Sequence, residues 1–225
     1  MTGNCDRSAA ITRSMLGWGI IAGPFYLAFG LILALTRNGF ALARDELSLL
    51  LLGDHGWLQW LNLALSAVMT VVAAAGLLRT PGWPRTAAAA VGVYGACLLL
   101  AAVFPPDATD DFPPGAGGGD VTAPGVLHLV FGALGFVSIG VAAVIANSWL
   151  ARRGSPGPKW SRNAGLVIIL AFVSGGALSN HSSGVALIWV TVVLTWAWLA
   201  AIAINAYRAV PDPAAPVRPK SAVSR

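Results

Sequence analysis

Residues 184–207 of this chain read GVALIWVTVVLTWAWLAAIAINAY, with no acidic, basic or histidine side chain among them. A helix needs about 20 consecutive apolar residues to cross the hydrocarbon core of a bilayer, and this stretch is long enough. An isolated strand cannot run there, because lipid offers no partner for unpaired backbone N–H and C=O groups. The stretch therefore predicts a membrane-spanning α-helix.

Five further stretches share its character, because each lacks Asp, Glu, Lys and Arg. They cover residues 15–36, 57–78, 87–104, 125–150 and 164–179. Transmembrane barrel strands would alternate apolar and polar residues over about ten positions, and none of these stretches does so. We therefore predict an all-α polytopic membrane bundle with six transmembrane helices over residues 15–208. Residues 1–14 are predicted as an N-terminal extension, and the proline-rich residues 209–225 as a disordered tail.

The composition of the whole chain agrees with this prediction. Of its 225 residues, 56% are hydrophobic and 10% are charged. A soluble domain carries about 25% charged residues, and a disordered chain combines low hydrophobicity with high charge. The composition excludes both classes. The first apolar stretch is also longer than the roughly 7–15 residues of a signal-peptide core, so we interpret it as a retained helix.

The basic residues lie mostly on one side of the predicted bundle. Twelve of the 14 Lys and Arg fall in the N-terminus, the second and fourth connections and the tail, whereas Arg37 and Arg44 fall in the first connection. Cytoplasmic loops carry the excess of Lys and Arg. We therefore predict that both termini are cytoplasmic, in a cell membrane. This topology explains the net charge of +5, so no nucleic-acid partner is predicted. The expected partners are membrane lipids, because basic residues near a membrane attract anionic lipids.

Small residues recur four positions apart in three of the predicted spans. They are Gly19 and Gly23, then Ala88, Gly92 and Ala96, and then Ala171, Gly175 and Ser179. Such rows let helix backbones approach closely in lipid. The helix that packs against such a row belongs either to the same bundle or to a second copy of the chain. A homo-oligomer that forms through these faces is therefore a possible arrangement.

The first connection contains a second apolar feature. Residues 47–52 read LSLLLL, a run too short to cross a membrane. Asp45 precedes it and is predicted to N-cap a short helix. That helix would lie in the membrane interface or cap the bundle.

Two connections carry motifs that resemble a known family. The first motif comprises Arg37, Gly39-Phe40, Leu47-Ser48-Leu49-Leu50, Gly53, Gly56-Trp57, Gln59 and Asn62, and the second comprises Phe104-Pro105, Asp107, Phe112-Pro113-Pro114-Gly115 and His128. Both are similar to signatures of a bacterial six-span family catalogued as domain of unknown function 998. The resemblance extends over about residues 17–208. It implies a multispanning fold and no particular activity.

Six polar residues are predicted to lie together under the outer connections. They are Arg37, Asp54, Gln59, Asn62, Asp107 and His128. His128 follows Pro124 by four residues, about 6 Å into its helix, where a titratable ring is costly unless it meets water or a partner. The guanidinium fork of Arg37 suits a carboxylate or a phosphate. Two interpretations stay open: a pocket for a lipid headgroup or other anion, and a hydrogen-bonded plug that ties the connections to the helices.

Three classes of function are compatible with this pattern. The three histidines map to the outer side and could join Asp54 and Asp107 in a metal-dependent lipid hydrolase. No HExxH or similar spacing occurs, however, so no metal and no cofactor is predicted. A small-molecule transporter usually places an ionisable residue within the membrane, and here none lies deeper than the first turn of a span. We therefore predict a non-catalytic accessory, sensor or lipid-binding protein with an outward-facing polar pocket.

Overall fold

The computed structural model describes residues 6–118, 120–154, 159–179 and 181–214. Over these residues the chain forms six α-helices and one short 3₁₀ helix, without a strand. The α-helices are α1 (Arg7–Thr36), α2 (Gly56–Leu78), α3 (Arg85–Val103), α4 (Ala123–Arg152), α5 (Lys159–Ala177) and α6 (Ser182–Ala209). The 3₁₀ helix, Leu47–Leu51, lies between α1 and α2 and is called the roof helix below. The all-α prediction is confirmed.

The helix bounds lie close to the predicted spans. For α2, α3, α4 and α6 they agree within two residues at either end. The helix α1 begins earlier than predicted, at Arg7, and includes part of the predicted N-terminal extension. The reason is a local cap: the Asp6 carboxylate accepts the backbone N–H groups of Ser8 and Ala9 at 3.0 and 3.1 Å. Such a cap satisfies donors that the first turn of a helix leaves unpaired.

Five of the helices, α1 to α4 and α6, are long and apolar enough to cross a membrane. The helix α5 differs because its first five residues include Lys159, Arg162 and Asn163. These residues lower the mean hydropathy of a helix that is only 19 residues long. The structure therefore supports a multi-pass membrane protein with five apolar helices of spanning length, and the sixth span stays a prediction.

The six helices form a ring in chain order. Each packs against its neighbours in sequence, and α1 packs against α6 to close the ring. The connections α1–α2, α3–α4 and α5–α6 lie at one end, which we call the roof end, and the chain termini lie at the other, the terminal end. Large apolar side chains cover the outside of the ring: Leu35, Ile32 and Leu170 are 74%, 62% and 65% exposed. Such a surface suits contact with lipid.

Glycines allow the helices of the ring to approach closely. A Cβ atom added at Gly19 would lie 2.9 Å from the Cβ of Ala73 in α2, and one at Gly23 would lie 2.8 Å from the Cβ of Trp196 in α6. The first small-residue row therefore faces neighbours within the same bundle. In the second row Ala96 is exposed, so that row reaches the outer surface of the ring.

The roof helix is present, but Asp45 does not cap it. The Asp45 carboxylate accepts the backbone N–H of Ala41 at 2.6 Å, and this bond closes the preceding turn instead. Glu46 takes the N-cap position without a side-chain bond to the helix. Leu47 and Leu50 are buried, and the roof helix packs on α1 and α2. The expectation of a short helix that caps the bundle is thus met with a different N-cap residue.

The first residues of the predicted tail contact the start of α1. The carbonyl oxygen of Pro213 accepts the backbone N–H of Asp6 at 3.1 Å. The Asp212 carboxylate lies 3.5 Å from the Arg13 guanidinium. Residues 215–225, the rest of that predicted segment, lie outside the described residues.

The contact between α5 and α6 predicts that Gly175→Leu destabilises the protein and that Gly176→Leu does not. A Cβ at Gly175 would lie 3.0 Å from the carbonyl oxygen of Gly184 and 2.9 Å from Cδ1 of Ile188, whereas one at Gly176 meets no atom within 4 Å. Overpacking of this kind costs about 1–3 kcal/mol. Thermal melts in lipid nanodiscs measure the difference. Equal melting temperatures for the two variants would contradict this packing.

Candidate functional site

A partly open cavity of about 210 Å³ lies among the six helices at the roof end, and its wall includes the exposed residues Leu129, Gly176 and Ser179. All six helices and the roof segment contribute to its wall, which is mostly apolar. The residues of the wall that carry polar or sulfur atoms in their side chains are Tyr26, Glu46, Ser48, Tyr94, Cys97, His128 and Ser179. An apolar concavity with a few polar groups at fixed places is the usual form of a small-molecule site.

Aromatic rings close the cavity toward the terminal end. Tyr26 and Tyr94 both lie against Trp196, with ring centroids 5.0 and 5.8 Å apart. Phe136 extends this group, because its ring lies 6.0 Å from that of Tyr94 and 5.0 Å from that of Phe172. Trp196 is almost completely buried. These rings fill the centre of the helix ring and form the floor of the cavity.

The end of α3 holds His128 in one tautomer. The Nδ1 atom lies 2.9 Å from the carbonyl oxygen of Ala101 and 2.8 Å from that of Phe104. Carbonyl oxygens only accept, so Nδ1 carries the hydrogen and Nε2 of the neutral ring keeps a lone pair. Pro105 has no N–H to donate to the Ala101 carbonyl four residues earlier. The histidine therefore supplies the donor that the end of α3 lacks.

Among the described residues of the cavity wall, Glu46 is the acidic one. It lies directly before the roof helix and is half-buried. Burial raises the pKa of its carboxyl group. The ion pairs among the described residues join Arg13 to Asp212 and Arg44 to Asp111, so neither uses this carboxylate. The chain therefore presents an acidic group to the cavity without pairing it to a basic side chain in the described part.

Three polar residues of α2 form a buried row behind Tyr26. Gln59, Asn62 and Ser66 are fully buried. The Asn62 amide donates to the carbonyl oxygen of Tyr26 and to Oε1 of Gln59, both at 3.2 Å. Within the described residues, Gln59 Nε2, Asn62 Oδ1 and Ser66 Oγ have no partner. An unpaired buried polar atom costs about 1–3 kcal/mol, so we expect ordered water beside this row.

Arg37 and Asp54 lie beside the roof helix, outside the central cavity. The Arg37 guanidinium donates to the carbonyl oxygen of Leu52 and lies over the ring of Phe112, 6.0 Å from its centroid. Arg37 and His55 contribute to the wall of a second cavity of about 220 Å³. Asp54 is exposed. Arg37 therefore fastens the first connection to the third.

Asp107 fastens the third connection to the start of α4. Its carboxylate accepts the backbone N–H of Thr122 at 3.2 Å and the hydroxyl of the same residue at 2.5 Å. The Thr122 hydroxyl in turn accepts the backbone N–H of Gly125 at 3.1 Å and caps α4. A negative charge at this end of the helix also complements the helix dipole. The contact fixes the turn that carries His128.

The six predicted site residues thus occur as three pairs in separate places. Arg37 and Asp54 lie beside the roof helix, Gln59 and Asn62 lie inside α2, and Asp107 and His128 lie at the start of α4. Of the six, His128 is the one that lines the central cavity. Their role in ligand binding stays a prediction. Sequence reasoning missed Glu46, Tyr26 and Tyr94 as wall residues. The one available signal was the position of Glu46 before an apolar run too short to cross a membrane.

The three histidines do not lie together. His55 and His181 are exposed, whereas His128 is buried. Among the residues that the structure describes, no group of three or more His, Cys, Asp or Glu side chains could hold a metal ion. The His/Asp cluster considered from the sequence is therefore not assembled in this part of the chain.

Comparison with known proteins identifies a family. Residues 20–205 match the family described as Protein of unknown function (DUF998), and the chain belongs to that family. The resemblance inferred from the motifs of the first and third connections is confirmed. The chain matches no curated protein and no solved structure.

The bonds of His128 predict a specific order of stability among its variants. His128→Ala should melt at a lower temperature than wild type, because it leaves the Ala101 and Phe104 carbonyls without their donor. We expect a cost of about 0.6–2 kcal/mol, the range for hydrogen bonds within membrane bundles. His128→Asn, whose amide nitrogen can replace Nδ1, should retain most of the wild-type stability.

Thermal melts of the three proteins in the same nanodiscs make this comparison. An Asn variant as unstable as the Ala variant would show that the two carbonyl contacts do not stabilise the fold.

Proposed function

We propose that this member of the DUF998 family is a non-catalytic membrane protein that binds a small amphiphilic molecule in the cavity under the roof helix. The cavity itself carries the proposal, with its volume of about 210 Å³ and its mostly apolar wall. An engineered apolar cavity of about 150 Å³ in another protein binds benzene. The present cavity therefore has room for one ring or a short chain that bears one polar group.

The position of the roof helix supports an accessory or sensor role. Leu47 and Ser48 line the cavity from the roof segment, while Leu49 and Leu50 are buried. A ligand in the cavity would contact the same short segment that closes the outer end of the ring. Binding would therefore stabilise the roof helix in its present position, because a ligand stabilises the state that it binds. A partner protein or lipid at the roof end could detect that change.

We further propose that all six helices span a plasma membrane, with the terminal end in the cytoplasm. The basic residues support this orientation. At the terminal end, the described part of the chain has Arg7, Arg13, Arg79, Arg85, Arg152, Arg153, Lys159, Arg162 and Arg208, while Arg37 and Arg44 lie at the roof end. This asymmetry follows the positive-inside rule. The helix α5 is included because it packs between α4 and α6 in the ring and exposes Leu170 on the outside.

The binding proposal predicts that Gly132→Leu weakens the binding of a neutral probe. Gly132 lines the cavity, and a Cβ added there meets no atom within 4 Å, so the leucine can enter the empty space. The probe is 4-fluorobenzyl alcohol, which has one ring and one hydroxyl. Fluorine NMR of the purified protein in maltoside micelles should show saturable binding to wild type. Binding to Gly132→Leu should be weaker by about tenfold or more, the equivalent of about 1.4 kcal/mol.

Gly17→Leu is the matched control, because Gly17 is also a helical glycine with open space around its Cβ position but does not line the cavity. It should bind the probe as wild type does. Equal binding by wild type and Gly132→Leu, or no saturable binding by wild type, would overturn the proposal.

The orientation predicts opposite labelling of two single cysteines. Cys5 and Cys97 are first replaced by alanine, and the new cysteines are Gly117→Cys at the roof end and Thr86→Cys at the terminal end. In intact cells an impermeant maleimide should label the first and not the second. After the membrane is permeabilised, both should react. Labelling of Thr86→Cys alone in intact cells would reverse the proposed topology. Labelling of both cysteines in intact cells would show that both sites lie outside the cell, which contradicts a membrane crossing by α3.

A further inference from the structure

The charge of the cavity wall has one sign. Glu46 is the acidic residue in the wall, and among the described residues that line the cavity there is no Lys or Arg. Arg37, which was predicted to bind an anion, donates instead to the Leu52 carbonyl outside this cavity. The wall therefore favours a ligand that carries positive charge over one that carries negative charge.

The Glu46 carboxylate lacks a protein counter-ion in the described part of the chain. Its nearest basic neighbour in sequence, Arg44, lies 3.7 Å from Asp111 instead. Glu46 is half-buried, and taking part of a charged carboxylate out of water is costly unless an opposite charge or hydrogen-bond donors replace the water. A cation that entered the cavity would supply that replacement. The raised pKa of the Glu46 carboxyl agrees with a group that is short of such partners.

The rest of the wall combines neutral polar side chains with aromatic rings. His128 lines the cavity, and in the neutral tautomer set by its backbone bonds its Nε2 keeps a lone pair and carries no N–H. Tyr26, Tyr94 and Phe136 also line the cavity, and an aromatic ring attracts a cation that lies over its face within about 6 Å of the ring centroid. A protonated amine is a compact cation with several N–H donors. It would complement a carboxylate, an imidazole lone pair and aromatic faces together.

We propose that the cavity selects small organic amines in their protonated form, with the ammonium group at the Glu46 carboxylate and the apolar body among the aromatic side chains. This inference rests on the proposed binding function and adds the chemical class of the ligand. The cavity volume limits that body to about one ring or a short branched chain.

Three probes of nearly equal size test the inference. They are 4-fluorobenzylamine, 4-fluorobenzyl alcohol and 4-fluorobenzoate, which are a cation, a neutral molecule and an anion at pH 7. Binding is measured by fluorine NMR in maltoside micelles and phosphate buffer, which contain no competing amine. Wild type should bind the amine about tenfold or more tightly than the alcohol, and the benzoate most weakly.

The variant Glu46→Gln keeps the size of the side chain and removes its charge. It should bind the amine and the alcohol with similar affinities, so that the ratio of the two affinities falls to about one. Asp54→Asn is the matched control, since Asp54 lies in the same connection, is exposed and does not line the cavity. This control should keep the wild-type preference. Melting temperatures of both variants establish that they are folded.

The outcomes separate the two proposals. If the alcohol binds wild type but the amine binds no more tightly, or if Glu46→Gln keeps the preference for the amine, the amine inference is wrong and the binding function stands. If none of the three probes binds wild type, both proposals fail.

An ammonium group can belong to a free amine or to a lipid headgroup. We commit to the free amine, because the cavity has no room for a complete lipid. Addition of short-chain phosphatidylethanolamine should therefore leave bound 4-fluorobenzylamine in place. Its displacement by that lipid, but not by the corresponding phosphatidylcholine, would assign the site to a lipid headgroup and overturn the choice of a free amine.

Discussion

Close backbone contact at glycines is the constraint on which the rest of this structure depends. Gly165 of α5 lies against the carbonyl oxygen of Gly140 in α4, and Gly23 of α1 lies against Trp196 of α6. In lipid the helices gain little from excluding water, so their attraction comes from packing at small residues. Because such contacts join each helix to its neighbours in sequence and α1 to α6, the six helices form a ring.

A ring of six helices leaves a centre that only large side chains can fill. In the middle of the bundle Tyr26, Tyr94, Trp196 and Phe136 occupy it. Nearer the roof end the filling is incomplete, and the cavity of about 210 Å³ remains. The polar groups around it follow from the same architecture. His128 completes the end of α3, where a proline has removed a donor, and Glu46 begins the segment that covers the opening.

The sequence predicted the helices well because their signal is local. The absence of charge over about 20 residues identifies a span without any tertiary information. The exceptions were also local. Asp6 caps α1, so that this helix begins earlier than predicted, and the polar residues at the start of α5 make it less apolar than the five helices of spanning length.

The site could be predicted only in part. Position along a span gives depth, at about 1.5 Å per residue, and depth correctly placed His128 one turn inside α4. The direction in which a side chain points could not be predicted in the same way. Spans that are apolar on every side have no periodicity that marks the inner face, so nothing in the sequence distinguished Tyr26 and Tyr94 from residues that face lipid. The partners of Arg37 and Asp107 depend on how distant connections fold together, which the spacing of residues does not encode.

The central claim is that an unfilled, mostly apolar space lies among the six helices under the roof helix. A crystal structure of the protein grown in a lipid mesophase and pressurised with xenon tests it most directly, because xenon enters dry apolar cavities. The account predicts a xenon peak between Tyr94, His128 and Phe136. A structure with the same helices in place, but with side chains filling this space and no xenon density there, would contradict it.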